Sequence, residues 1–342
     1  MNKEKENIQI TNQSDSAAVE SPKAGNVFSR LTDAVYDKME NTRVKVGVIA
    51  VLCLLILILP YVSNTYVTEV MTNAFFYMVL CLGLNITVGW CGLLNLGNAA
   101  FFAFGAYTTG ILVKMGINFW ITIPMAIIIS IIVACIIGGP TLKLRSDYLA
   151  IVTLGFGEIT RLMARNLDIT GGATGLVGIP RPEFFGMKIY LGHHFYYTFF
   201  ILVVLAVIIS YRLHRSRFGR ALEYIREDED AAEAMGINTV RYKLLAYIVG
   251  SIFAGVGGCF FAVKMTAISP ESFLFIQSAN VLLAIVLGGM GKIPGAILGA
   301  FLLVLFPEVF REIGETRMLF FGIILILVMI FRPQGVWPDR RS

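Results

Sequence analysis

Three groups of residues in this sequence have types and spacings that carry chemistry. The first lies between Arg212 and Arg241, a stretch too charged for hydrocarbon and too long for a tight turn. Its centre, from Ala221 to Met235, has helix-forming composition and holds Asp230-Ala231-Ala232-x-x-x-Gly236, followed by Asn238. Glu223, Glu227 and Glu233 stand at helical spacing from Arg220 and Arg226 and can pair with them. Asp228 belongs to the Arg226-Glu227-Asp228-Glu229 run that leads into the motif. Ala231 and Ala232 leave a flat patch where another protein can approach closely, and Gly236 suits the left-handed residue that closes a helix. This is docking chemistry; the alternative is a solvated connector whose charges only set topology. The second group is Glu158 and Arg161, an i,i+3 pair inside an apolar run. An uncompensated charge at mid-membrane costs about 2.5–3.5 kcal/mol, so the two read either as a structural ion pair or as part of a pathway. The third group is Asn85, Asn95 and Asn98 with Gly288, Gly289 and Gly291. These either line a polar translocation path or bond and pack across helices.

Catalytic signatures are missing. Gly288-Gly289-Met290-Gly291-Lys292 lacks the earlier glycine and the following Ser or Thr of a phosphate cradle. There is no G-x-S-x-G, no H-E-x-x-H and no carboxylate pair suited to a soluble cleft. His193 and His194 are adjacent, not i,i+4, and have no third ligand nearby, so they do not form a metal site. Cys53, Cys81, Cys91, Cys135 and Cys259 all fall in apolar runs without metal spacing and read as buried apolar residues. The chain is therefore expected to be no enzyme and to bind no cofactor or metal of its own.

Elements that position such groups must be membrane helices. Apolar residues make up 56% of the chain and charged ones 15%, against about a quarter charged in soluble domains. The positive charge sits in a few loops instead of along one face, which excludes a nucleic-acid binder. Ten apolar runs are long enough for short or full spans: 44–62, 70–88, 96–113, 119–138, 148–164, 195–211, 242–263, 273–287, 295–309 and 317–331. The expectation is an all-α integral membrane protein of about ten helices with both termini cytoplasmic. Such a count puts Lys143, Arg145, the arginines of 212–226, and Arg332, Arg340 and Arg341 inside, and the Lys/Arg-free segment 63–69 outside. Residues 1–26 read as a disordered cytoplasmic tail. In 27–43, Phe28, Leu31, Val35 and Met39 suggest an interfacial amphipathic helix. The membrane-spanning region runs over 44–338 with its loop at 212–241, and 339–342 is a C-terminal tail. Lys264 and Glu308 lie near span ends, from which they reach the interface. The segments 83–98 and 287–295 are rich in glycine and read either as broken helices or as close packing through small residues, as in Gly295-x-x-x-Gly299.

The run Asp147-Tyr148-Leu149-Ala150-Ile151-Val152-Thr153-Leu154-Gly155-Phe156-Gly157-Glu158-Ile159 is followed by Thr170-Gly171-Gly172-x-x-Gly175, Ser269-Pro270-Glu271-Ser272-Phe273, Val286-Leu287-Gly288-Gly289-Met290-Gly291 and Arg332-Pro333-Gln334-Gly335. With these motifs the chain resembles the branched-chain amino-acid ABC importer permeases of the LivM type, from about Val44 to Pro338. The Asp230-to-Gly236 motif is similar to the EAA-x-x-x-G coupling motif of such permeases, with Asp230 for the first Glu; the usual later Ile-x-Leu-Pro is replaced by Leu245-Ala246-Tyr247-Ile248. The resemblance implies a plasma-membrane importer subunit surrounded by membrane lipid and partnered by a LivH-type permease, two ATPases that use ATP and Mg, and an extracellular binding protein. It implies branched-chain amino acids as substrate, with urea or short amides as the alternative, and it gives the outer loop 165–194 a place in docking the binding protein. A secondary transporter driven by an ion gradient is a different reading, for which Glu158 is the one good intramembrane acid.

Overall fold

The computed structural model describes residues 56–61, 63–142, 146–184, 187–188, 192–310, 322–323, 326, 330 and 335–336. The tail 1–26, the interfacial helix 27–43, the tail 339–342 and most of the first and tenth expected spans lie outside them. Residues 60–342 form one compact unit, described here; of 1–59 only residues 56–59 are described, and they are helical.

The chain is mostly helical, and its helices fall on the apolar runs, apart from two in the charged loop. They are α1 (Thr65–Leu84), which continues into a π-turn (Asn85–Trp90), α2 (Asn98–Lys114), α3 (Phe119–Thr141), α4 (Ser146–Asn166), α5 (Gly192–His214), α6 (Arg217–Glu227), α7 (Glu229–Ala234), α8 (Thr239–Met265), α9 (Phe275–Gly288) and α10 (Ile293–Val309). Among the described residues, five segments are long and apolar enough to cross a membrane: Thr65–Trp90, Phe119–Thr141, His193–His214, Thr239–Met265 and Pro270–Gly288. The chain is thus a multi-pass membrane protein. The stretch Ile293–Val309 is a shorter apolar helix.

α8 is the axis of the bundle. Its 27 residues reach about 40 Å and pack against α1, α2 and α3. Small residues set these crossings. A Cβ on Gly105 would lie 1.9 Å from Gly255 O, and one on Gly258 would lie 2.2 Å from Phe102 O. In hydrocarbon no hydrophobic effect drives helices together, so close backbone approach and dispersion hold them instead. On α3 the buried residues Ala126, Ser130, Ala134 and Gly138 recur every fourth position and face α8, where Ser251 Oγ donates to Ser130 O at 3.4 Å. The opposite side of α3 exposes Ile121, Ile128, Ile132 and Ile136, as a helix facing lipid does. Cys135 lies on this exposed side, which corrects the expectation that all the cysteines are buried; Cys81, Cys91 and Cys259 are buried and Cys53 lies outside the described residues.

One end of the bundle carries α6 and α7 and is called the loop end; α8 connects it to the strand end. There β1 (Leu176–Val177) pairs antiparallel with β4 (Ala267–Ile268), Leu176 opposite Ile268. Between them in the chain, β2 (Glu183–Phe184) pairs with β3 (Met187–Lys188). The loop 165–194 is therefore partly folded, and two of its glycines serve that fold: a Cβ on Gly175 would lie 2.0 Å from Ile268 O, and one on Gly171 would lie 2.1 Å from Gly175 O.

Two ion clusters lie at the strand end. Arg161 Nε bonds Glu158 Oε2 at 2.9 Å, and its Nη1 reaches Glu271 Oε1 at 3.4 Å. Lys264 does not extend to the interface. Its side chain is 8% exposed, and Nζ donates to Asn73 Oδ1 at 2.6 Å with Glu69 Oε2 at 3.7 Å. The physical reason is that α1 brings a carboxylate and an amide to the ammonium, which removes the need to snorkel.

Gly105→Val is expected to lower stability by about 1–3 kcal/mol or more, because backbone leaves no room for the added atoms. Gly155→Ala, where a Cβ meets nothing within 4 Å, should be neutral or stabilising. Thermal inactivation of the detergent-purified chain measures both; equal melting of the two variants would contradict the packing described.

Candidate functional site

The charged loop folds as two helices and not as the single one expected over 221–235. Ser216 starts α6 by accepting from Phe218 N at 3.1 Å and Gly219 N at 3.4 Å. The apolar face of α6, Ala221, Leu222 and Ile225, is buried against the π-turn, α5 and α8. Asp228, in extended conformation, breaks the helix and caps the next one, its Oδ1 accepting from Ala231 N at 3.0 Å.

α7 has six residues, too few to be stable alone. Glu229 and Asp230 in its first turn favour the helix dipole. Gly236, at φ +86°, ends it in a Schellman motif: Gly236 N donates to Glu233 O at 2.9 Å and Ile237 N to Ala232 O at 3.1 Å. The buried ammonium of Lys243 on α8 pairs with Glu229. Ala232 is 1% exposed and packs inside the chain, so the flat patch expected from two alanines is corrected: Ala231 is exposed, alongside Ala234, Met235 and Tyr224. Glu227, Asp228, Asp230 and Glu233 are exposed as well. The expected Glu–Arg pairs take other forms. Glu223 Oε1 lies 3.7 Å from His214 Nε2, and Arg220 donates to Arg215 O at 3.1 Å.

Arg226, from this loop, meets the glycine breaks of the spans. After α1 the helix widens into the π-turn, and Leu93 N, which in a continuing α-helix would reach Gly89 O, goes to Thr87 O at 3.0 Å. Arg226 Nη1 donates to Gly89 O. Its stem lies against Gly92, where a Cβ would stand 3.2 Å from Arg226 Cγ. Across from it is the elbow between α9 and α10. Gly291 N donates to Asn85 Oδ1 at 2.9 Å, and Trp90 Nε1 donates to Gly291 O at 2.9 Å. The Trp90 ring lies 4.9 Å from that of His214 at the end of α5. Val336 N donates to Leu287 O at 2.9 Å, and Gly335 packs on Gly289.

Asn85, Gly289, Gly291 and Arg226 are thus brought together. Asn85 is 1% exposed and bonds across helices. Asn95 and Asn98 are buried nearby in sequence; Asn95 serves the re-entry into α2, and Asn98 is the first residue of that helix. Asn95 Oδ1 accepts from Gly97 N at 2.9 Å, Leu96 N donates to Thr153 Oγ1 at 3.1 Å, and Ala99 N donates to Ser278 Oγ at 2.8 Å. Gly288 serves packing: a Cβ there would lie 1.9 Å from Gly295 O, while Gly299 abuts Ala284 O. Both readings of the glycine segments hold, on different residues. Glu158 lies at the other end of the bundle, in its ion pair with Arg161. Sequence reasoning missed Trp90, His214, Lys243 and Glu271. A signal existed for Lys243, a lysine one residue inside an expected span, which requires a partner. Nothing marked Trp90 among its apolar neighbours.

Residues 66–329 match the family described as branched-chain amino acid transport system, permease component. The chain is 41% identical over 307 residues to the high-affinity branched-chain amino acid transport system permease protein LivM of Salmonella typhimurium, covering 82% of this chain and 72% of that one. The LivM protein of Escherichia coli is 40% identical with the same coverage. The LivH protein of the same system in Escherichia coli is 24% identical over 287 residues, covering 76% of this chain and 90% of that one. No solved structure matches. The helical bundle, its apolar spans and this match over most of its length agree, and the chain belongs to the family of branched-chain amino-acid transport permeases.

Proposed function

We propose that this chain is the LivM-type permease subunit of an ABC importer in the plasma membrane. It works with a LivH-type permease, two ATPases and an extracellular binding protein, and it forms part of the pathway for leucine, isoleucine and valine. ATP and Mg are used by the ATPases. The loop end faces the cytoplasm, the strand end faces outward, and both termini are cytoplasmic in a ten-span topology. The observation that carries this reading is the α6–α7 unit: a short helix pinned to the bundle by Lys243 that turns Tyr224, Ala231, Ala234 and Met235 outward within an acidic rim. A solvated connector has no need of a buried ammonium and a closed helix terminus. An apolar centre with charged surroundings matches a protein interface, where a few desolvated contacts supply most of the affinity.

In this mechanism closure of the ATPase dimer on ATP displaces α6 and α7 together. The bundle then shifts between outward- and inward-facing states in proportion to the differential affinity of the ATPases for each. The strand end meets the binding protein, which supplies most of the selectivity.

In vesicles holding all the subunits, Ala231→Arg with Ala234→Arg should reduce ATP-driven leucine uptake by about tenfold or more and release the ATPases on purification. Unchanged uptake and association would remove the docking assignment. The same vesicles distinguish substrates, because isoleucine and valine should compete with leucine while urea and short amides should not. Uptake driven by an ion gradient without ATP would point to a secondary transporter.

Sidedness has its own test. In a cysteine-free background on sealed spheroplasts, Val177→Cys should react with an impermeant maleimide, and Tyr224→Cys only after permeabilisation. The reverse pattern would overturn the topology and the mechanism with it.

A further inference from the structure

We propose that Arg226 is the positioning residue that transmits motion of the α6–α7 unit to both glycine breaks in the membrane spans. This deepens the proposed function and rests on it. A conventional docking residue would point away from the bundle. Arg226 keeps part of its surface exposed but sends its guanidinium into the bundle, to the Gly89 carbonyl that the π-turn has freed. Two glycines make room for it: its stem occupies the space beside Gly92, and a Cβ on Gly291 would stand 2.8 Å from its Nη1. A third, Gly89, makes room for the facing elbow, because a Cβ there would stand 2.2 Å from Asn85 Oδ1 and 2.6 Å from Gly291 N.

The π-turn and the α9–α10 elbow are bound to each other independently, through Asn85 to Gly291 N and Trp90 to Gly291 O. A displacement that Arg226 imposes on Gly89 is therefore shared by α1 and by the α9–α10 pair. α5 is attached as well: the His214 ring lies against that of Trp90, tilted by 35°, and Arg215 and Ser216 alone separate α5 from α6. The peptide groups concerned have left regular helix geometry, so they can shift without breaking a helical ladder. A charged donor on a single carbonyl is stronger than a neutral one, and a helix rigid enough to transmit force lies behind it. The guanidinium is planar and cannot lose its proton, so it holds the position in every step of a transport cycle.

The first test uses the purified chain, with Trp120→Phe and Trp337→Phe leaving Trp90 as the sole tryptophan, excited at wavelengths that tyrosine does not absorb. Arg226→Ala should red-shift Trp90 emission and raise its quenching by acrylamide, and Arg226→Lys, which keeps one donor, should restore part of the change. Unaltered Trp90 emission and quenching in Arg226→Ala overturns the proposal.

The second test uses the complete reconstituted importer. Arg226→Ala should leave the ATPases bound and ATP hydrolysis within about twofold of the parent while uptake per ATP falls about tenfold. Loss of ATPase association with unchanged uptake per ATP would make Arg226 an ordinary docking residue and refute the proposal. An unmodified importer that takes up nothing on ATP would refute the proposed function instead, and the Trp90 measurement would still decide whether Arg226 holds the break.

Discussion

Buried backbone that leaves the helix must find its hydrogen bonds within the protein, and this structure is organised around that requirement. Two spans leave regular α-helix, one widening into a π-turn after Leu84 that ends at Trp90, and one breaking after Gly288. Each satisfies the other. Asn85 accepts the elbow's Gly291 N–H, Trp90 donates to the Gly291 carbonyl, and Arg226 takes the carbonyl of Gly89. The seven-residue re-entry to α2 is closed by Asn95, Thr153 and Ser278. None of these breaks is stable without its partners, so the two ends of the chain that contain them are obliged to fold against each other.

How much of this could be read from sequence follows from the range of each interaction. Apolar runs located the helices closely: the expected span 242–263 is Thr239–Met265 in the structure, and 119–138 is Phe119–Thr141. Periodicity and composition are local properties, and so are an i,i+3 ion pair such as Glu158–Arg161 and the helix-ending role of Gly236. Lys264 was misjudged because its partners, Glu69 and Asn73, are almost two hundred residues away. Ala232 was misjudged because the break at Asp228 rotates α7 relative to α6, and composition gives no sign of that rotation. Asn85 and Arg226 were each marked as candidates, but for separate roles. Their joining depends on a π-turn, which has no sequence signature beyond a glycine and an asparagine among apolar residues.

The two ends of the bundle use charge differently. At the strand end, Arg161 sits between two carboxylates and Lys264 between a carboxylate and an amide. These clusters join helices to neighbouring turns and helices through side chains, and each cation has a carboxylate to offset it. At the loop end Lys243 pairs with Glu229 in the same way, but the cation on α6 meets a main-chain carbonyl, and the other acids around it stay exposed. A side-chain ion pair tolerates sliding, because long side chains follow one another. A bond to a backbone carbonyl ties a charged helix to the path of the chain itself, so relative motion there must deform the backbone.

Small residues bear on the same contrast. Along α8 the contacts of Gly105 with Gly255 and of Gly258 with Phe102 bring helix backbones together as rigid bodies, with no room for a methyl group. Such packed cores are bistable and resist continuous deformation. At Gly89, Gly92 and Gly291 the space that side chains would fill holds Asn85 and a guanidinium instead, and the local backbone is irregular. Rigid crossings concentrate any imposed displacement where the backbone can yield. In this fold that place lies at the π-turn and the facing elbow, next to the charged loop and far from the strand end.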